Sequence, residues 1–131
     1  MADHRAVDAA NLPKPAGPYS VAMVFDRLVF VSGQGARDPL TDRLVGPDVE
    51  AQTEQCLKNI EAALKQADSS LKDVVRVTYI LPNAAEFEKC WPILRKYFGD
   101  VRPAATMISA GLADPRIKIE IEVTALRGSG R

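Results

Sequence analysis

Apolar and polar positions along the chain switch period several times, and the switches divide it into elements. Val21 to Phe25 and Leu28 to Val31 are apolar, β-rich runs parted by Asp26-Arg27, a two-residue polar break suited to a hairpin that ends at Ser32-Gly33-Gln34. Gly35 to Pro47 is rich in Gly, Pro and Asp without periodicity and reads as a long surface loop. From Asp48 to Asp68 the apolar residues Val49, Cys56, Leu57, Ile60, Ala63, Leu64 and Ala67 recur at spacings of three and four, which predicts an amphipathic helix. Its opposite face carries Glu50, Glu54, Lys58, Glu61 and Lys65. Asp68 to Asp73 is a turn, and Val74 to Leu81 reads as a strand apolar enough to be buried on both sides. Asn83 can cap a second helix reaching Phe98, with Phe87, Cys90, Trp91, Leu94 and Phe98 as its core stripe. Pro92 should kink that helix or delay its start to about Trp91. Pro103 to Gly111 and Ile117 to Leu126 are two further strands around the turn Ala113-Asp114-Pro115-Arg116. Met1 to Asn11, which holds His4, reads as a loose end, and Gly128 to Arg131 as a flexible tail.

The order strand, strand, helix, strand, helix, strand, strand predicts an α+β sandwich, one sheet with both helices on one face. Two helices cannot cover both faces of so apolar a sheet, so the uncovered face is expected to pack against other copies of the chain. At 131 residues and 47% apolar composition the chain should form a single domain over residues 1–131. Lys plus Arg and Asp plus Glu balance at 17 each, which leaves no net field to draw it to nucleic acid or an anionic membrane. No stretch approaches the roughly 20 apolar residues of a spanning helix and none resembles a signal segment, so a soluble, cytoplasmic protein is expected. Cys56 and Cys90 lack the spacing of a zinc site or disulfide framework and should be reduced, buried thiols. Walker, HExxH, GxSxG and GxGxxG patterns are all missing, which disfavours the common cofactor classes; neither cofactor nor metal is expected.

Candidate chemistry is concentrated at a few positions. In the last strand Ile117, Ile119, Ile121 and Val123 alternate with Lys118, Glu120, Glu122 and Thr124. The plain reading is a half-solvated strand. If the uncovered face is an interface, however, Glu120 and Glu122 are partly desolvated there, and a carboxyl with a raised pKa is suited to proton transfer. Tyr19, in the rigid segment Ala16-Gly17-Pro18-Tyr19-Ser20, can bring a hydroxyl to a pocket or simply pack its ring. Arg37, Arg102 and Arg116 lie in loops where a guanidinium could meet an anion, though most surface arginines do nothing specific.

Gly17-Pro18-Tyr19-Ser20, Val29-Phe30-Val31-Ser32-Gly33-Gln34, Ala51-Gln52-Thr53 with Leu57-Lys58-Asn59-Ile60, Arg102-Pro103-Ala104 and Lys118-Ile119-Glu120-Ile121-Glu122 follow one another as blocks over about the whole chain. In this the chain resembles the Rid/YjgF family of reactive enamine/imine deaminases, formerly called endoribonuclease L-PSP-like. The resemblance implies a chorismate-mutase-like homotrimer with ligand clefts between subunits and no cofactor. It also implies hydrolysis of short-lived enamines and imines to a carbonyl compound and ammonia. Carried over, Glu120 positions the attacking water or supplies a proton, Tyr19 helps line the site, and Gly33 forms the cleft wall. The arginine that grips the substrate carboxylate in archetypal members stands two residues after the proline of the penultimate strand, and here that residue is Ala105. Loss of its two parallel charge-assisted bonds should cost roughly 2–5 kcal/mol of binding. Thr106 and Met107 also depart from the family pattern and make the pocket more apolar. Arg102 or Arg37 could supply the missing charge.

Three functions are compatible with these residues. One is a deaminase of altered substrate range. Another is a non-catalytic trimer that binds an imine, keto acid or other small carbonyl compound. The third, a ribonuclease or chaperone-like protein, is disfavoured by the zero net charge and the lack of a basic, aromatic-studded surface.

Overall fold

A computed structural model describes residues 3–7 and 11–130. Six strands form one mixed sheet in the order β1-β2-β3-β6-β4-β5, where β1 is His4–Val7, β2 Ala22–Phe25, β3 Leu28–Gln34, β4 Val74–Leu81, β5 Ala104–Ser109 and β6 Glu120–Leu126. Helix α1 (Val49–Gln66) connects β3 to β4, and α2 (Phe87–Phe98) connects β4 to β5. Only β4 and β5 pair in parallel. The last strand, β6, inserts between β3 and β4 and runs antiparallel to both.

The predicted α+β architecture is present, with corrections that have identifiable causes. The segment around His4 is not a loose end but an edge strand. Its four residues are too few and too polar to show a period, and pairing with β2, His4 opposite Phe25 and Val7 opposite Ala22, makes it a strand. Helix α2 does not wait for Trp91. A 3₁₀ turn at Ala84–Glu86, whose Ala85 N–H donates to the Asn83 side chain, starts it, Phe87 is anchored 5.2 Å from the Tyr79 ring, and Pro92 is accommodated inside. Trp91 is not core but 41% exposed, because α2 buries Cys90 and Phe98, a position round the helix from it. The last strand starts at Glu120 rather than Ile117, since the Lys118 N–H donates to the buried Gln52 side chain at 2.8 Å instead of to a strand. The expected loose tail is tied down: Gly128 and Gly130 N–H groups donate to Asp73 at 3.1 and 2.8 Å, while Arg131 lies outside the described residues.

Both helices cover one sheet face. Val24, Val29, Val77 and Ile121 from the sheet, with Ile119 just before β6, share one core with Leu57, Ile60 and Leu64 of α1 there, all fully buried. Strand β4 is therefore buried on one side only within the chain: Val77, Tyr79 and Leu81 are buried, while Arg76 is exposed and Thr78 and Ile80 are half-buried. The other face carries Phe25, Leu28, Phe30 and Ile108, large apolar side chains left in solvent. Among the described residues no helix is long and apolar enough to cross a membrane.

Candidate functional site

Strand parity sorts the candidate residues into two groups. In β6, Ile121, Val123 and Ala125 point to the helices, so Glu120, Glu122 and Thr124 point to the uncovered face. Glu120 pairs with Ile80 and Glu122 with Thr78, the outward residues of β4. The β3–β6 register shifts between Val31 and Gln34, and this bulge brings Gly33 over Glu120. A Cβ at Gly33 would lie 2.9 Å from the Glu120 Oε1, so only glycine leaves the carboxylate in place. Burial first, and the Glu122 charge second, raise the Glu120 carboxyl above its ordinary pKa.

Tyr19 belongs beside this group by chain position. The Ser32 hydroxyl donates to the Ser20 carbonyl at 2.6 Å and the Ser32 N–H to the Val21 carbonyl at 2.9 Å, which binds the Tyr19 segment to the strand that carries Gly33. The Tyr19 ring packs over Gly17 and is 54% exposed, and its hydroxyl accepts from the Ala16 N–H at 3.3 Å. No hydrogen bond links it to Glu120 among the described residues.

Ala105, Met107 and Arg102 lie elsewhere. Ala105 pairs with Val77 and Met107 with Tyr79, the helix-facing residues of β4, so both point toward α2. Ala105 and Arg102 line an open groove of about 580 Å³ between β5 and α2. Arg102 holds a left-handed backbone, φ 51°, directly before Pro103, an uncommon conformation for any residue but glycine. Within one chain the structure thus brings Gly33 and Glu120 together and Ala105, Met107 and Arg102 together, with the sheet between the two sets.

The other two candidate arginines, Arg37 and Arg116, have carboxylate partners. Arg37 is ion-paired with Asp42 inside its own loop, and Arg116 donates to Asp114 at 2.6 Å. Arg102, unlike Arg37, makes no ion pair among the described residues. The thiols are free and buried, and burial raises the pKa of both Cys56 and Cys90. No group of His, Cys, Asp and Glu among the described residues is arranged to hold a metal.

Sequence reasoning missed two positioning residues on α1. Gln52 donates to the carbonyls of Gly46 and Arg116 at 2.8 and 3.0 Å and accepts from Lys118, so it fixes the entry into β6 two residues before Glu120. Asn59 donates to the carbonyls of Gly35 and Arg37, at 3.4 and 2.9 Å, and so fixes the exit from Gly33. Both are buried polar residues on an apolar helix face, a signal the sequence does carry. Arg76 is a further residue that periodicity does not single out. It donates to the Thr106 hydroxyl at 2.9 Å and shares a hollow of about 240 Å³ on the uncovered face with Phe30 and Glu122.

Comparison with known proteins shows the family and the fold. Residues 9–127 match the family model described as Endoribonuclease L-PSP. A RutC family protein of Pyrococcus horikoshii is 38% identical over 117 residues, covering 89% of this chain and 93% of that protein. The human protein named 2-iminobutanoate/2-iminopropanoate deaminase is 33% identical over 124 residues, 95% and 90% of the two chains. A crystal structure of a Rid-family protein of unknown function from Yersinia pestis superposes with a TM-score of 0.89 at 34% identity, over 95% and 99% of the two chains. The fold, the ordered sequence blocks and these matches agree: the chain belongs to the Rid/YjgF family.

Proposed function

We propose that this protein hydrolyses reactive imines to a carbonyl compound and ammonia in clefts shared between copies of the chain, with a substrate range altered by Ala105. The observation that carries the reading is the Glu120 carboxylate, half-buried against Gly33 with its pKa raised, on a sheet face that one chain leaves open. The similarity to the human imine deaminase supports the reaction class.

A carboxyl whose pKa is raised above its ordinary value is better suited both to take and to return a proton. Water adds to the imine carbon while one of its protons passes through Glu120 to the imine nitrogen, giving an amino alcohol. Glu120 then takes the hydroxyl proton and delivers it to the departing nitrogen; the C–N bond breaks, the C=O bond forms and ammonia leaves. No redox partner is required.

Because Glu120 and Ala105 face opposite sides of one sheet, a ligand that meets both groups has to sit between two copies. The exposed Phe25, Leu28, Phe30 and Ile108 give the outward face the apolar surface for such packing, and the family's trimer meets the requirement. An assembly of this kind needs no membrane or nucleic acid and fits a cytoplasmic protein.

The test is ammonia release from 2-aminoacrylate and other imines generated in place. Activity should be lost in Glu120→Gln and kept in Lys65→Ala, a change on the exposed face of α1. Equal rates in all three proteins would sink the proposal. Ala105→Arg should improve turnover of small 2-imino acids. The absence of the clamp also favours a second reading, a binding trimer without turnover. In that case small keto acids would raise the melting temperature by mass action while no imine is consumed.

A further inference from the structure

The groove beside Ala105 is unlike a site for small, charged substrates. Phe87 and Trp91 meet edge to face, with centroids 6.3 Å apart and planes at 89°, and Tyr79 tilts against Phe87 at 5.2 Å. Leu94 continues this wall along α2, and Ala105 forms the opposite side from β5. Its volume of about 580 Å³ lies within the roughly 300–1,000 Å³ usual for small-molecule sites. An arginine at position 105 would fill this groove and charge it. Alanine leaves it open, with the half-exposed Trp91 ring along its wall.

Polarity is confined to one end. Arg95 and Arg102 line the groove there together with Asp100, so its lining carries two cationic residues against one acidic one. Neither arginine is in an ion pair among the described residues. The left-handed backbone of Arg102 ends the connection from α2 and starts β5 at this mouth.

From this arrangement we infer that the groove takes the aromatic side chain of a 2-imino acid, of the kind formed when an aromatic amino acid is oxidised, with the carboxylate moved from position 105 to Arg102 and Arg95. The ring packs against Trp91 and Phe87, and the carboxylate meets the guanidiniums at the rim. The inference rests on the reading that this groove is one half of the shared cleft, and it names the substrate class of that site.

Trp91 is the only tryptophan in the chain, so its fluorescence reports on the groove without requiring turnover. The intact protein is titrated with 3-phenylpropanoate, with propanoate and with neutral 3-phenylpropanol. The aromatic acid should give a saturable change at a concentration roughly 10-fold or more below propanoate, since a filled apolar pocket discriminates by that much per group. Arg102→Ala should weaken the aromatic acid toward the affinity of the alcohol without altering the alcohol, a split that general loss of structure would not produce. In parallel, imines released by L-amino acid oxidase from phenylalanine and from alanine are compared as substrates, and kcat/KM should favour the aromatic imine by a similar factor. Turnover of both imines at equal kcat/KM, with no fluorescence response to 3-phenylpropanoate, overturns this inference and leaves the deaminase reading standing. Selective binding of the aromatic acid with no turnover of any imine upholds the groove assignment and overturns the deaminase reading.

Discussion

Gly33→Ala separates a role in the site from a role in the fold. Gly33 lies within β3 and its φ is not in the left-handed region, so its backbone can be adopted by alanine and strand propensity slightly favours the change. The new methyl would stand 2.9 Å from the Glu120 Oε1, about 0.5 Å inside the 3.4 Å at which ordinary contact begins. What must yield is the end of a flexible side chain rather than backbone, so stability should fall by no more than about 1 kcal/mol. The carboxylate, however, is displaced from the position in which the proposed mechanism has it meet water and the imine nitrogen. A misplacement of about 1 Å can cost roughly 100-fold in rate, so a shift of half that should lower kcat/KM by about 10-fold. Urea unfolding and ammonia release from imines generated in place measure the two effects on the same preparation. If kcat/KM stays within about twofold of the natural protein, Glu120 does not act from the position seen here. If unfolding instead shows a loss above about 3 kcal/mol, Gly33 is there for packing and the argument from close approach is wrong.

Glu122→Gln removes the like charge that, after burial, holds the Glu120 carboxyl high; the Glu120 pKa should fall, and because the ionised carboxylate accepts the water's proton, the acid limb of kcat/KM against pH should move to lower pH. A limb that stays in place would mean Glu122 is screened by solvent. Gln52→Leu leaves the Lys118 N–H and two carbonyls without their partner, and unfolding in urea should show a loss of about 3 kcal/mol. Burial raises the Asp73 carboxyl, but bonds from the Ser69 hydroxyl and the N–H groups of Gly130, Gly128 and Ser70 outweigh it and the net shift is downward. That stability is present above the unfolded pKa and lost as pH falls through the lowered one, so Asp73→Ala should cost about 2 kcal/mol at neutral pH and little in acid, checked by unfolding at both. Finally, mixing Glu120→Gln with Ala105→Trp, two variants each inactive alone, and letting subunits exchange should restore about a quarter of the activity, since each cleft draws one group from each of two copies; no restoration would mean the two groups act within one chain.

The helices and the hairpin are legible in the sequence because each depends on local chemistry, whereas Gly33 and Ala105 enter as candidates only through the family resemblance. Apolar spacing of three and four places α1, Asn83 announces the start of α2, and the alternation from Ile119 to Val123 by itself assigns Glu120 to the face opposite the isoleucines. Features decided by distant partners are not legible. Strand β1 exists because β2 lies beside it, and β6 begins three residues late because Gln52, far away in sequence, captures the backbone before it. Trp91 reads as core because its spacing from Phe87 and Leu94 fits a helical stripe, but the axis of α2 is fixed by where Cys90 and Phe98 bury, and that turns Trp91 into the groove. Arg37 and Arg116 cannot be told from Arg102 by sequence, since only the fold shows which of the three already has a carboxylate.

The separation of the two groups also bears on why the position where the resemblance implies an arginine can carry alanine. β5 is an edge strand whose only neighbour is β4, and Ala105 faces a groove open to solvent rather than the packed core. Exchanging the residue there alters no buried contact and opens no cavity, so its cost falls on ligand binding rather than on folding. Gly33 and Glu120 differ. They are held between Gln52 on one side and Asn59 on the other, and the bulge that joins them is part of the β3–β6 pairing. On the proposed function, substrate range can therefore drift at the β5 edge while the proton-transfer half stays fixed by the fold, as expected of a site whose recognition and chemistry come from different parts of the chain.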